Sequence, residues 1–218
     1  MKATRGDRLW LWGLIALLSV GVGGYALFHV FTGFKFVPGS VLKNAFPSPL
    51  DIETHILCSG IALLVGPFQF LKRLRAKQPM LHRWLGRIYV TACTIGGVAG
   101  GSIALFSSAG PIAGWGFFLL AVAWVPFTLL AWFSAMRRDF VAHERWMVRS
   151  FALTFGAVTL RIYLPIGLAI MGMQGAHDPF TLPYTIIAWI AWVPNLMIAE
   201  LWLRSRNRPR PAVAKVPA

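Results

Sequence analysis

Four of the five histidines in this chain fall where apolar stretches begin or end: His29, His55, His82 and His143. Two neutral imidazoles from facing helices, with small residues beside them and cations near the propionates, are the ligand set of a b-type haem. On this reading His82 and His143 form an inner pair, and His55 with His29 an outer one, so that stacked haems pass electrons across a bilayer. The fifth histidine, His177, has no evident partner. Arg161 is the other unusual residue. It lies about ten positions from either end of an apolar run, where an arginine must snorkel outward or find a counter-charge. A haem propionate, a bound anion or the carbonyls of a broken helix would serve. Glu200 is the one carboxylate inside a later run, but its depth makes it a poor partner for Arg161.

The same residues have plainer readings. His82 and His143 adjoin Trp and Arg, types that anchor helices at the membrane boundary, and Arg83, Arg87, Arg145 and Arg149 would hold lipid phosphates there. His55, Ser59, Gly66, Gln69 and Arg73 recur at helical spacing, as do His143, Ser150, Thr154 and Arg161. Such stripes would also line the path of a small-molecule or proton-coupled transporter. His82 shares its face with Tyr89, Cys93, Gly96 and Gly100. Gly96 with Gly100 and Gly97 with Gly101 have the GxxxG spacing, which favours close helix packing over clearance for a cofactor. Pro67, Pro126, Pro165 and Pro194 mark bends. The sequence has no HExxH, Walker loop, nucleophile elbow or paired carboxylates, so nothing points to a hydrolase, and enzyme status stays open. Cys58 and Cys93 alone make neither a disulfide framework nor a thiolate metal site.

The elements that must position these residues are membrane spans. Hydrophobic residues make up 57% of the chain and charged ones 13%, a composition that calls for lipid as solvent. Apolar stretches occupy residues 9–31, 52–71, 84–107, 112–136, 147–172 and 183–203, each long enough to cross. The first follows MKATRGDR without a small-residue cleavage pattern and reads as a retained signal anchor. The expected fold is an all-α, polytopic six-helix transmembrane bundle over residues 1–204, with a basic, disordered tail over 205–218.

Basic residues fix the expected orientation. Lys2, Arg5 and Arg8 precede the first span; Lys72, Arg73, Arg75, Lys77, Arg83 and Arg87 surround the second loop; Arg137, Arg138, Arg145 and Arg149 the fourth. The tail adds Arg204, Arg206, Arg208, Arg210 and Lys215, whereas the odd-numbered loops hold only Lys35 and Lys43. Both termini are therefore expected in the cytoplasm. The net charge of +14 is explained by this clustering beside the spans, with anionic headgroups as partner and no nucleic acid.

A faint internal repeat accompanies this. HRWLGR (His82–Arg87) and HERWMVR (His143–Arg149) share His and Trp-x-x-Arg, and Ala-Trp-Val-Pro occurs at 123–126 and again at 191–194. With His55 opening a span that continues to GPFQF, HRWLGRIYV over 82–90, HERWMVRS over 143–150 and the Leu160-Arg161 pair, the chain resembles a bacterial membrane protein family known as domain of unknown function twenty-three-oh-six. The resemblance covers roughly residues 50–165 and implies a bacterial inner membrane location, with no mechanism or redox partner attached. A more distant likeness is to six-helix haem cytochromes that reduce ascorbate-derived radicals or ferric iron. Their histidines come in two matched pairs from the central four helices, whereas here they come from spans one, two, three and five.

Overall fold

The computed structural model describes residues 5–33, 35, 49–107, 110–172 and 181–206. Among these, helices follow one another as α1 (Arg5–Phe31), α2 (Pro49–Val65), a 3-10 turn (Pro67–Phe70), α3 (Lys72–Lys77), α4 (Pro79–Leu105) and α5 (Pro111–Met136). Then come α6 (Phe140–Thr154), α7 (Gly156–Gly172), α8 (Thr181–Ile190) and α9 (Val193–Arg206). Lys2, Lys43, His177 and the tail from Asn207 onward lie outside the described residues.

Among the described residues six stretches are long and apolar enough to cross a membrane. The third begins at Pro79 and the fifth at Phe140, earlier than the apolar runs at 84 and 147. The reason is local: helix starts are set by backbone signals, and hydropathy lags behind them. Pro79 and Pro111 sit at first-turn positions, where a missing N–H costs nothing. Asp139 caps α6 by accepting the Ala142 N–H at 3.0 Å. His82 and His143 are thereby inside helices and not in loops.

The fifth and sixth spans are each two helices. Phe155 interrupts the fifth, where the Val158 N–H reaches the Phe155 carbonyl at 2.9 Å in a tightened turn. Ala191 and Trp192 interrupt the sixth, just before Pro194, which has no N–H to continue the ladder. The two breaks meet. A Cβ on Gly156 would lie 3.3 Å from Trp192 Cβ, and the Ala191 carbonyl accepts from Thr159 Oγ1 and, at 3.0 Å, from Asn195 Nδ2. Backbone groups released by the break are satisfied by side chains, as hydrocarbon requires.

α1 packs on α2, α2 on α4, α4 on α5 and α5 on α6, while α8 covers α5 and α9 covers α6. The core gathers Ala62, Tyr89, Cys93, Trp124, Met147 and Leu153. Glycine lets the helices close: a Cβ at Gly97 would stand 2.4 Å from Val125 Cγ2, and one at Gly96 would stand 2.9 Å from Cys58 Cβ. The outside is the reverse of a soluble surface. Trp10 is 82% exposed and Leu17 69%, side chains that water would drive together and lipid solvates.

Candidate functional site

The polar side chains of the core form three levels, beginning at the arginine-rich end. At the first level, His82 on α4 and His143 on α6 are within electrostatic reach of each other, with Arg75 and Arg83 also close to His82. The His143 ring is held by its Nδ1–H, which donates to the Ala131 carbonyl of α5 at 2.8 Å and leaves Nε2 as the nitrogen open to a ligand. His82 Nδ1 and Gln69 Nε2 are buried and have no hydrogen-bond partner among the described residues. Gln69 is placed by the 3-10 turn, against Gly86 one helical turn beyond His82.

At the second level, α4 and α6 make little direct backbone contact, and side chains bridge them. Tyr89 Oη shares hydrogen bonds with Ser150 Oγ (3.0 Å) and Thr154 Oγ1 (2.8 Å). Thr128 Oγ1 lies 2.6 Å from Ser150 Oγ, and Trp124 Nε1–H donates to Thr154 Oγ1 at 2.8 Å. Cys93 lies against Tyr89, Thr128 and Thr154. All of these side chains are buried. Tyr89, Ser150 and Thr154 belong to stripes legible from spacing. Thr128 and Trp124 are additions, four residues apart and so on one face of α5, a signal present in the sequence.

At the third level, near the opposite end, the His55 Nδ1–H donates to the Gly96 carbonyl at 2.7 Å and the ring fills the space over Gly100. The small residues of α4 thus receive an imidazole on one side and α5 on the other. Arg161 on α7 is within electrostatic reach of His55, Tyr25 and Tyr184. Its Nη1 donates to the Ala157 carbonyl at 3.0 Å, which turns the guanidinium back toward the helix break and away from the near end of the span. His29, at the end of α1, is buried and packs edge-on against Tyr25 with ring centroids 4.4 Å apart. Its described ring contacts lie on its own helix, whereas those of His55 run to α4 and α7.

The residues of this core, apart from those on α1, fall in one segment that a family pattern matches. The pattern of a family described as predicted membrane protein (DUF2306) matches residues 52–203. This chain belongs to that family. No curated protein and no solved structure matches it. His55, His82, His143, Arg161 and the whole second level lie within the DUF2306 segment, and α1 with His29 precedes it.

The arginines at the first end have defined surroundings. Arg87 stacks on Trp84, Arg149 on Trp146 and Arg206 on Trp202, each with the guanidinium 4.7 Å from the ring centre. The two Trp-x-x-Arg copies of the repeat therefore share a geometry. Its Ala-Trp-Val-Pro copies do not: α5 runs on through Pro126, and the sixth span breaks before Pro194. Arg149 also pairs with Glu200, and Arg206 with Glu144, tying α6 to α9. Arg83 and Arg145 are exposed. Among the described residues no group of three or more His, Cys, Asp or Glu side chains could hold a metal ion.

Proposed function

We propose that this DUF2306 protein is a b-type cytochrome of the bacterial inner membrane, with both termini in the cytoplasm and haem held between His82 and His143. The observation that carries this reading is the pair of imidazoles on two helices that side chains, and not backbones, bring together. His143 has the arrangement of a haem ligand: Nδ1–H anchored on a backbone carbonyl fixes the ring and makes Nε2 more basic. His82 offers a buried ring nitrogen without a partner among the described residues, the state that a ligand would relieve. Arg75 and Arg83 supply positive charge beside it for propionates. Arg161 belongs elsewhere, since eighteen residues of helix put it about 27 Å from His143. Bound through two imidazoles, a haem iron supplies one-electron transfer and leaves no open coordination position for a substrate.

Protein purified from cells supplied with haem should show a Soret band, and a narrow α band on reduction with dithionite. His82→Ala and His143→Ala should each remove both bands, and His55→Ala should retain them. A colourless protein, free of haem at saturating supply, ends this reading.

A second reading, a small-molecule or proton-coupled transporter, is favoured by the two helix breaks that face each other at Gly156 and Trp192, a feature of transporter binding sites. In proteoliposomes, Asn195→Ala should change solute or proton flux without any change in absorption. A wild type that moves neither solute nor proton excludes it, and unaltered flux in Asn195→Ala excludes the helix breaks as its site. In the transporter reading the exposed Arg83 and Arg145 meet anionic headgroups on the cytoplasmic side, and in the haem reading Arg145 does.

A further inference from the structure

Arg161 is a cation inside the bundle whose surroundings do not neutralise it. Among the described residues one of its five N–H donors is used, by the Ala157 carbonyl of its own helix. That bond decides against snorkelling, because Ala157 lies one turn further from the Ile170 end of the span than Arg161 does. The flank of α7 beyond it is lipid-facing, with Ile162, Ile166 and Ile170 exposed, so no water shell is at hand on that side. Toward the bundle, α7 packs against α1 and α8. The groups that reach the guanidinium from those helices and from α2 are Tyr25, Tyr184 and His55, all neutral in their ordinary states.

The acids are engaged elsewhere. Glu200 and Glu144 pair with Arg149 and Arg206 at the other end, Asp139 caps α6, and Asp51 accepts from Ser102 Oγ at 3.3 Å. Glu53 is exposed, and Asp178 and the side chain of Asp7 lie outside what the structure describes. Among the described residues no carboxylate pairs with Arg161. A half-buried arginine well inside a membrane span is retained against a steep solvation penalty, and the penalty is removed by a counter-ion. Two phenol hydroxyls near it offer further donors to the same oxygen atoms, whereas the His55 N–H is already spent on the Gly96 carbonyl.

We infer that Arg161, with the hydroxyls of Tyr25 and Tyr184, forms a binding site for an oxyanion, a carboxylate or phosphate group, in the half of the bundle opposite the His82–His143 end. The oxyanion belongs either to a small soluble molecule or to a lipid headgroup that enters from the membrane. The site stands on Arg161 and does not depend on haem. Arginine suits it because its planar fork holds two oxygens at once, which a lysine does not.

The test uses full-length protein in nanodiscs of phosphatidylcholine, followed by thermal unfolding. A ligand that binds only the folded state raises the midpoint. Sodium acetate or inorganic phosphate, compared with chloride at equal ionic strength, should raise it by about 3 °C if the anion is soluble. If the source is lipid, the same rise should appear only when phosphatidylglycerol is added to the nanodisc. Either rise should vanish in Arg161→Gln and persist in Arg145→Gln, whose charge is at the other end. Should Arg161→Gln fail to fold, Arg161→Lys gives the answer: its response should need several-fold more anion. No rise with any of these anions, a rise that survives Arg161→Gln, or an Arg161→Lys titration superimposable on the wild type would overturn the site.

Discussion

Tyr89 shows what a single hydroxyl contributes when its neighbours have other partners. Its Oη joins Ser150 and Thr154, but Ser150 also meets Thr128, while Thr154 receives the Trp124 N–H and donates to the Ser150 carbonyl at 3.0 Å. Tyr89→Phe leaves each of those oxygens at least one partner, so its cost should be about 1 kcal/mol or less. Thr154→Val is different. It keeps the shape but removes the acceptor of the Trp124 N–H along with the Tyr89 contact, so two buried donors lose an acceptor and the cost should reach about 2 kcal/mol. Unfolding in mixed micelles of graded denaturing detergent measures both. Equal losses would mean that Tyr89, and not Thr154, is the centre of the network. The histidines belong to the same scale: His55 and His143 each commit Nδ1 to a carbonyl of a neighbouring helix, so each fixes a helix pair as well as offering Nε2.

For the helices, the informative comparison is between glycines on the same side of α4. A Cβ at Gly97 would stand 2.4 Å from Val125 Cγ2, whereas one at Gly101 would meet Ala121 Cβ at 3.4 Å, an ordinary contact. Gly97→Ala should therefore cost about 1–3 kcal/mol through displacement of α5, and Gly101→Ala should stay within about 0.5 kcal/mol, with midpoint shifts in the same order. Matching effects would show that GxxxG is a coincidence of composition here. The spacing was readable in the sequence, and so were six apolar runs and the sharing of a face by His82, Tyr89 and Cys93. Three features were not. Hydropathy placed the starts of the third and fifth spans too late, because a helix begins at its proline or cap and carries its charged first turns with it. The break at Phe155 has no proline to announce it; only its contact with the Pro194 break, made by Thr159 to Ala191, 32 residues on, makes sense of it. Arg161 was legible as an oddity, yet the direction of its side chain depends on the Ala157 bond, which no spacing encodes.

Across the whole molecule, one end differs in kind from the other. The Trp–Arg stacks at 84/87, 146/149 and 202/206, both ion pairs of the described residues, and the His82–His143 pair gather at the same end. The opposite end has His55, Arg161 and two tyrosines, with few basic residues in the loops beyond. Because insertion retains Lys- and Arg-rich loops on the side of synthesis, the first end should be cytoplasmic, and a C-terminal fusion reads this directly. Green fluorescent protein fused after Ala218 should fluoresce, and alkaline phosphatase at the same place should be inactive, while phosphatase inserted between Lys35 and Lys43 should be active. An active C-terminal phosphatase would reverse the bundle. Any haem at His82 and His143 would then exchange electrons with periplasmic partners, and the arginine site would open toward the cytoplasm, so the direction of every proposed transfer hangs on the sidedness of this one end.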